Sequence, residues 1–252
     1  MGRLNVLVPV ASLWLGCIIP PLVTAGKQCG PTDLCAAPEA CVVASGETVG
    51  VCARVARFQD GASPSSAYLG THDTYLSENQ PDQNEATQGA DDMVDGDEPG
   101  GTGDHAFTLI RWDLAGLEPG ARVLAVQLTF NVMNASAGQP YTAYLLRRDW
   151  TEGEATWRQA SAGNPWETAG AQGSGDRGVD AIFGLAPTGE GLLTRTFGDA
   201  GVAAAQQWVD DPASNHGLIL QGTSKDGIDL SSRENAKPAL RPLLTITYLQ
   251  GG

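Results

Sequence analysis

The chain is short of positive charge. Its 252 residues hold 15 Lys and Arg against 29 Asp and Glu, a net charge of −14, and no Lys or Arg falls between Arg57 and Arg111. Such a surface repels polyanions at long range, so the sequence carries no electrostatic footprint for nucleic acid. Catalytic signatures are missing as well. There is no GxSxG elbow, no HExxH pair and no P-loop. The three histidines, His72, His105 and His216, are scattered along the chain. Glu152 and Glu154 are close enough in sequence to be weighed as the paired carboxylates of a glycosidase. Glu154, however, fits a capping box with Thr151, and Glu152 falls in a loop pattern. The sequence therefore reads as a non-enzyme. Beyond the N-terminal stretch no apolar run is long enough to span a bilayer, so no membrane insertion is expected of the mature chain.

What is present begins with an export signal. Arg3 precedes an apolar stretch from Val6 to Val23, and Val23-Thr24-Ala25 places small residues at the positions read for cleavage before Gly26. Residues 1–25 are thus expected to be a signal peptide and the protein to be secreted. The alternative is a lipoprotein anchored through Cys17, which Leu15-Gly16-Cys17 fits in part. In an exported chain Cys29, Cys35, Cys41 and Cys52 read as two disulfides with three possible connectivities. Their spacings are not the paired short ones of a zinc site. Segment 26–53 is too small to bury a core of its own, and disulfides stand in for one.

Residues 54–252 read as an all-β domain. Val123 to Met133 alternates most cleanly, with Leu124, Val126, Leu128, Phe130 and Val132 on one face. Phe107–Leu114, Tyr141–Arg147, Gly217–Gln221 and Leu243–Leu249 complete the clear strands. Two short helical pieces interrupt them, a turn opened by Thr151 and a helix from an Asp199 N-cap to Asp210, stopped by Pro212. Antiparallel strands with few helices predict a sandwich. The unopposed acids between Arg57 and Arg111 read as a solvated face or, alternatively, as a Ca²⁺ site, for which Asp95, Asp97 and Glu98 are the candidate ligands.

Tryptophan supplies the remaining signal. Trp112 and Trp208 sit in apolar patterns and read as core. Trp150 and Trp157 bracket the Thr151 turn and are expected to pin it to the sandwich. Trp166, beside Gly163 and Pro165, is the candidate for an exposed sugar-stacking platform, with core packing as the alternative.

Several segments together resemble the DNRLRE-domain family, also grouped as carbohydrate-binding module family 96 and related to a domain of archaeal disaggregatase. They are Asp73-Thr74-Tyr75-Leu76, Leu109 to Leu114, Pro119-Gly120-Ala121, Trp150 to Trp157, His216 to Leu220, Leu230-Ser231-Ser232-Arg233-Glu234 and Arg241 to Tyr248. Together they span roughly residues 58–249. The resemblance implies a jelly-roll-like antiparallel β-sandwich, secreted by a bacterium as an accessory module of extracellular enzymes. Some members bind alginate. That polyanion needs either bridging Ca²⁺ or a local basic patch, for which Arg148 and Arg158 are the candidates, with Arg147. Arg233, followed by Glu234, reads instead as a loop anchor. The expectation is a secreted, non-catalytic module that binds an extracellular or cell-surface polysaccharide. The alternative is a structural or adhesive matrix protein with no sugar ligand.

Overall fold

The computed structural model describes residues 22–23, 26–32, 34–43, 47–86, 89, 91–117, 120–136, 138–222 and 225–250. The expected signal peptide, including Cys17 and the cleavage site after Ala25, lies outside them apart from the backbone of Leu22–Val23. The chain divides into two compact units, Met1–Cys52 and Ala53–Gly252.

The first unit is held by two disulfides. Of the three connectivities the sequence allows, Cys29–Cys41 and Cys35–Cys52 are formed. Around them the described residues form short strands, Gln28–Cys29, Leu34–Cys35 and Ala40–Val42, and the start of the longer strand Gly50–Phe58, which pairs with Gln28–Cys29. With so little regular structure, the cross-links do the work that a hydrophobic core does in a larger domain.

The second unit is an all-β sandwich of two antiparallel sheets. Its strands are β1 (Gly50–Phe58, whose Arg54 to Phe58 pair within this unit), β2 (Thr71–Ser77), β3 (Asp91–Val94), β4 (Ala106–Trp112), β5 (Arg122–Asn134), β6 (Tyr141–Leu146), β7 (Arg177–Leu185), β8 (Gly191–Thr196), β9 (Leu218–Gly222), β10 (Ile228–Ser231) and β11 (Leu243–Leu249). One sheet has the order β7-β6-β9-β4-β2. The other runs β1-β11-β5-β10-β3, with β8 on the free side of β5. β5 is long enough to take two partners along one edge. Thr129 pairs with Leu243 of β11, and Val132 with Leu230 of β10, while both also pair with β8. Successive strands mostly cross between the sheets, so most connections bridge the two layers, whereas β6 and β7 are neighbours in one sheet.

Val126, Leu128, Phe130 and Val132 of β5 meet Ile110, Trp112, Leu218, Leu220 and Ala143 of the facing sheet in the main core. The alternation slips at one point. A bulge opposite Thr247 and Tyr248 pairs them with Ala125 and Val123, so Val123 is buried and Leu124 only half-buried. An extra residue in a strand resets which face every later side chain takes. The helix α1 (Asp199–Asp210) packs Ala204, Ala205, Trp208 and Val209 into the same core. Its N-cap is Gly198, which has no side chain to cap with; Asp199 is the first helical residue, where its charge favours the helix dipole. At Thr151 no helix forms. The backbone makes a single turn in which Glu154 N–H and Ala155 N–H donate to the Thr151 carbonyl, and the Glu154 carboxylate accepts from Ala162 N–H instead of closing a capping box.

Candidate functional site

β4 is buried on both faces, from Ala106 to Ile110. Its inner side chains enter the main core. Its outer ones, Phe107 and Leu109, join Leu76, Leu146 and Ile219 under a cover made by the segment from Trp150 to Ala171. A strand covered on both faces loses the simple in-out alternation, which is why Ala106–Ile110 reads as a nearly continuous apolar run. The cover is pinned by three tryptophans. Trp150 Nε1–H donates to the His216 carbonyl at 2.9 Å, and the Arg111 guanidinium lies 5.2 Å from its ring. Trp166 Nε1–H donates to the Thr156 carbonyl at 2.9 Å. Trp157 packs on Phe107 at 5.3 Å between ring centroids. Asn84 ties down the turn, donating to the carbonyls of Glu152 and Ala155.

The cover stops short of the full sheet, and beside it opens a cleft of about 590 Å³. Thr142 and Tyr144 of β6 and Gln221 of β9 project into it, because Tyr141, Ala143 and Leu220 on the alternate positions face the core. Phe107, Trp157 and His105 form an aromatic wall, with His105 and Trp157 rings near parallel at 13° and 6.5 Å. The Arg177 guanidinium stacks 4.3 Å above the Tyr144 ring, and its terminal nitrogens donate to the Gln172 side chain and the Gly178 carbonyl. Glu78 is held by His105, whose Nδ1 is 2.8 Å away. Two buried donors on residues lining the cleft, Gln221 Nε2 and Arg177 Nε, have no hydrogen-bond partner among the described residues. The volume lies in the range of small-ligand sites, and its mix of aromatic faces with a few aimed polar groups suits a polar ring-shaped ligand.

The sequence-derived candidates lie elsewhere. Trp166 is 5% exposed, so its ring is not a stacking platform; it is buried in the cover. Arg148 forms an ion pair of 3.0 Å with Asp176, whose side chain is fully buried and also accepts from the N–H groups of Glu167, Thr168 and Gly173. It therefore braces the Gly-rich loop. Arg147 donates to the Ser174 carbonyl of the same loop. Arg158 pairs with Asp82 at 2.9 Å on the surface. Arg147 and Arg148 thus serve the Gly-rich loop and Arg158 the segment around Asp82. Arg233 does act as an anchor, with Nε 3.0 Å from Glu152 and 2.8 Å from Glu234. None of the cleft residues was singled out from sequence as a ligand contact, although Thr142, Tyr144 and Gln221 are readable as the outward positions of two strands.

Asp95, Asp97 and Glu98 occupy a loop that they brace themselves. Asp95 Oδ1 accepts from Asp97 N–H at 2.8 Å, and Asp97 Oδ1 accepts from Gly103 N–H at 2.5 Å. They do not form a set of converging ligand atoms; among the described residues, the carboxylates that converge are those of Asp73, Glu152 and Glu234. Asp73 and Asp92 are pushed well above the usual carboxylate range, first by burial and then by repulsion from neighbouring acids. Burial alone would raise Glu152 too, but His72, the Asp73 N–H and Arg233 outweigh it and hold it below its ordinary value. No family model matches the chain, and no curated protein matches it significantly.

Proposed function

We propose that the protein is a secreted, non-catalytic module that binds an extracellular polysaccharide in the cleft beside the tryptophan cover. The observation that carries this reading is the make-up of the cleft. It sets Tyr144, Trp157 and His105 beside the amide groups of Gln172 and Gln221, with a buried Gln221 Nε2 donor unpaired among the described residues. Pyranose rings offer apolar C–H faces to aromatic rings and hydroxyls to amides. An unpaired buried donor is costly, and a ligand hydroxyl would relieve that cost. The charge of the site favours an uncharged sugar. Arg177 is engaged by Tyr144, Gln172 and Gly178, and Glu78 by His105, so the cleft offers little to a polyanion such as alginate. The disulfides suit an oxidising compartment, and no helix among the described residues is long and apolar enough to cross a membrane. The resemblance to carbohydrate-binding module family 96 supports the same reading, with a different ligand from the alginate of some members. The test is a glycan array carrying neutral and acidic oligosaccharides. Binding to neutral glycans is expected. A blank array, or binding confined to uronic acids, would refute the assignment.

A further inference from the structure

The edge strands of the two sheets, β2 and β3, run close together, and three distant segments bring carboxylates there. Asp73 lies on β2, Glu152 in the turn after Trp150, and Glu234 just after β10. One oxygen from each lies within 4.8 Å of the other two. Ca²⁺ binds oxygen at about 2.3–2.6 Å, so oxygens around one ion are at most about 5 Å apart, and these three fit a single coordination sphere.

Acidic groups often gather on surfaces without an ion. Here Asp73 and Asp92 are buried and Glu152 is half-buried, with Glu234 at the exposed rim. Asp73 is 1% exposed; its Oδ2 accepts from Arg233 N–H at 2.8 Å, while its Oδ1 is buried without a hydrogen-bond partner among the described residues. Asp92 stands outside the triplet. It is 4% exposed and lies close enough to Asp73, Glu152 and Glu234 for their negative charges to act on one another. The available positive charge is elsewhere engaged. Arg233 Nε serves Glu152 and Glu234, its Nη1 donates to the Thr71 carbonyl, and His72 Nδ1 meets Glu152 Oε2 at 3.2 Å. Arg233 also reaches Asp60 at 3.6 Å, and among the described residues neither cation forms an ion pair with Asp73 or Asp92. Buried carboxylates are retained when something compensates them, and an uncompensated pair at the seam of two sheets is strongly destabilising.

We propose that Asp73, Glu152 and Glu234, with Asp92 behind them, bind one divalent cation of the Ca²⁺ type that ties the edge strands to the turn before the tryptophan cover. Arg233 stays as the organic counter-charge on the outer side. Where the carboxylates bind through one oxygen each, water completes the six to eight oxygens Ca²⁺ takes. Mg²⁺, which demands a near-ideal octahedron and gives up water reluctantly, binds less well. The site is separate from the cleft and does not depend on it for its role.

The experiment uses protein expressed from the full chain, stripped with chelator and titrated with CaCl₂ by calorimetry, with melting followed in parallel. One Ca²⁺ per chain and a rise in Tm are expected, with Mg²⁺ at least tenfold weaker. Asp73→Asn and Glu234→Gln should each weaken Ca²⁺ binding at least tenfold, and Asp97→Asn should leave it unchanged. The Glu234 side chain is 31% exposed, so its variant reports on the site even where Asp73→Asn fails to fold. Absence of both heat and a Tm change in the unaltered protein would overturn the proposal. So would full affinity in Glu234→Gln, or loss of binding with Asp97→Asn.

Discussion

Replacing Trp166 by alanine separates a structural tryptophan from a sugar platform. The ring is 5% exposed and packed in the cluster with Trp150, Trp157 and Ala171, and its Nε1–H is spent on the Thr156 carbonyl. Truncating a buried Trp to Ala costs about 3–5 kcal/mol, because the transfer energy is lost and a cavity remains. For a domain of about 200 residues each kcal/mol shifts Tm by about 2–4 °C, so a fall of about 6–20 °C follows. Trp166→Phe keeps most of the apolar area but orphans the Thr156 carbonyl, which costs about 1–3 kcal/mol. Its fall in Tm should be smaller. The assay is thermal unfolding followed by near-ultraviolet circular dichroism, with the intact protein as reference. Glycan binding, measured well below the lowered Tm, should weaken only as far as the cover loosens around Trp157. A Trp166→Ala protein with unchanged Tm and abolished binding would refute the placement of this ring and restore it as a contact residue.

Two further perturbations probe the frame of the sheet. Gly217 has φ 76°, and a Cβ there would collide with the Ile110 carbonyl and the Arg111 side chain. Gly217→Ala should therefore lower stability by about 2–5 kcal/mol, combining left-handed strain with overpacking, and a urea midpoint within error of the unaltered protein would contradict this. His216 is held below its ordinary value by burial, with Arg111 adding to the effect and Asp149 opposing it. The unfolded chain then takes up the proton first. Stability is unaffected above the unfolded value near 6.5, and it falls as pH drops through 6.5 toward the lower folded value. His216→Gln should flatten the decline in Tm between pH 7.5 and 5.5, while a curve parallel to that of the unaltered protein would show that this histidine plays no part.

The architecture was largely legible because its main strands follow simple rules. Val126 to Val132 alternate, and Leu243–Leu249 appears with its predicted bounds. β1, β2, β3, β7, β8 and β10 are not among the clear strands of the sequence. In Gly191–Thr196 half-buried and exposed residues alternate with none fully buried, so its pattern lacks an apolar signal. At Arg177–Leu185, three consecutive exposed residues, Val179, Asp180 and Ala181, break the period. The N-terminal pairing of cysteines was confined to three choices, but spacing alone could not select among them.

Less of the site could be read. Ligand contacts were sought in unusual residues, and the tryptophans and arginines of segment 148–166 turned out to be the fastenings of a cover. Their partners, the carbonyls of His216 and Thr156 and the carboxylate of Asp176, are backbone groups or distant side chains that one-dimensional patterns do not reveal. The cleft is built from ordinary strand positions whose outward direction follows from period two, but whose exposure depends on where the cover ends. Likewise Asp73, Glu152 and Glu234 belong to three segments that drew notice separately, and only the fold brings them together. The Asp95–Glu98 run drew attention because its acids are adjacent in sequence, yet adjacency there serves the loop's own hydrogen bonds.

The most direct test of the cleft as a sugar site is calorimetric titration of the best-bound glycan into the unaltered protein and into Tyr144→Ala, with each variant's fold checked by its Tm. Tyr144 presents its ring to the cleft from the middle of β6, beside Thr142 and under Arg177. The account predicts a loss of about tenfold or more, equivalent to about 1.4 kcal/mol, in a protein that still melts cooperatively. Equal affinity in the two folded proteins would contradict it.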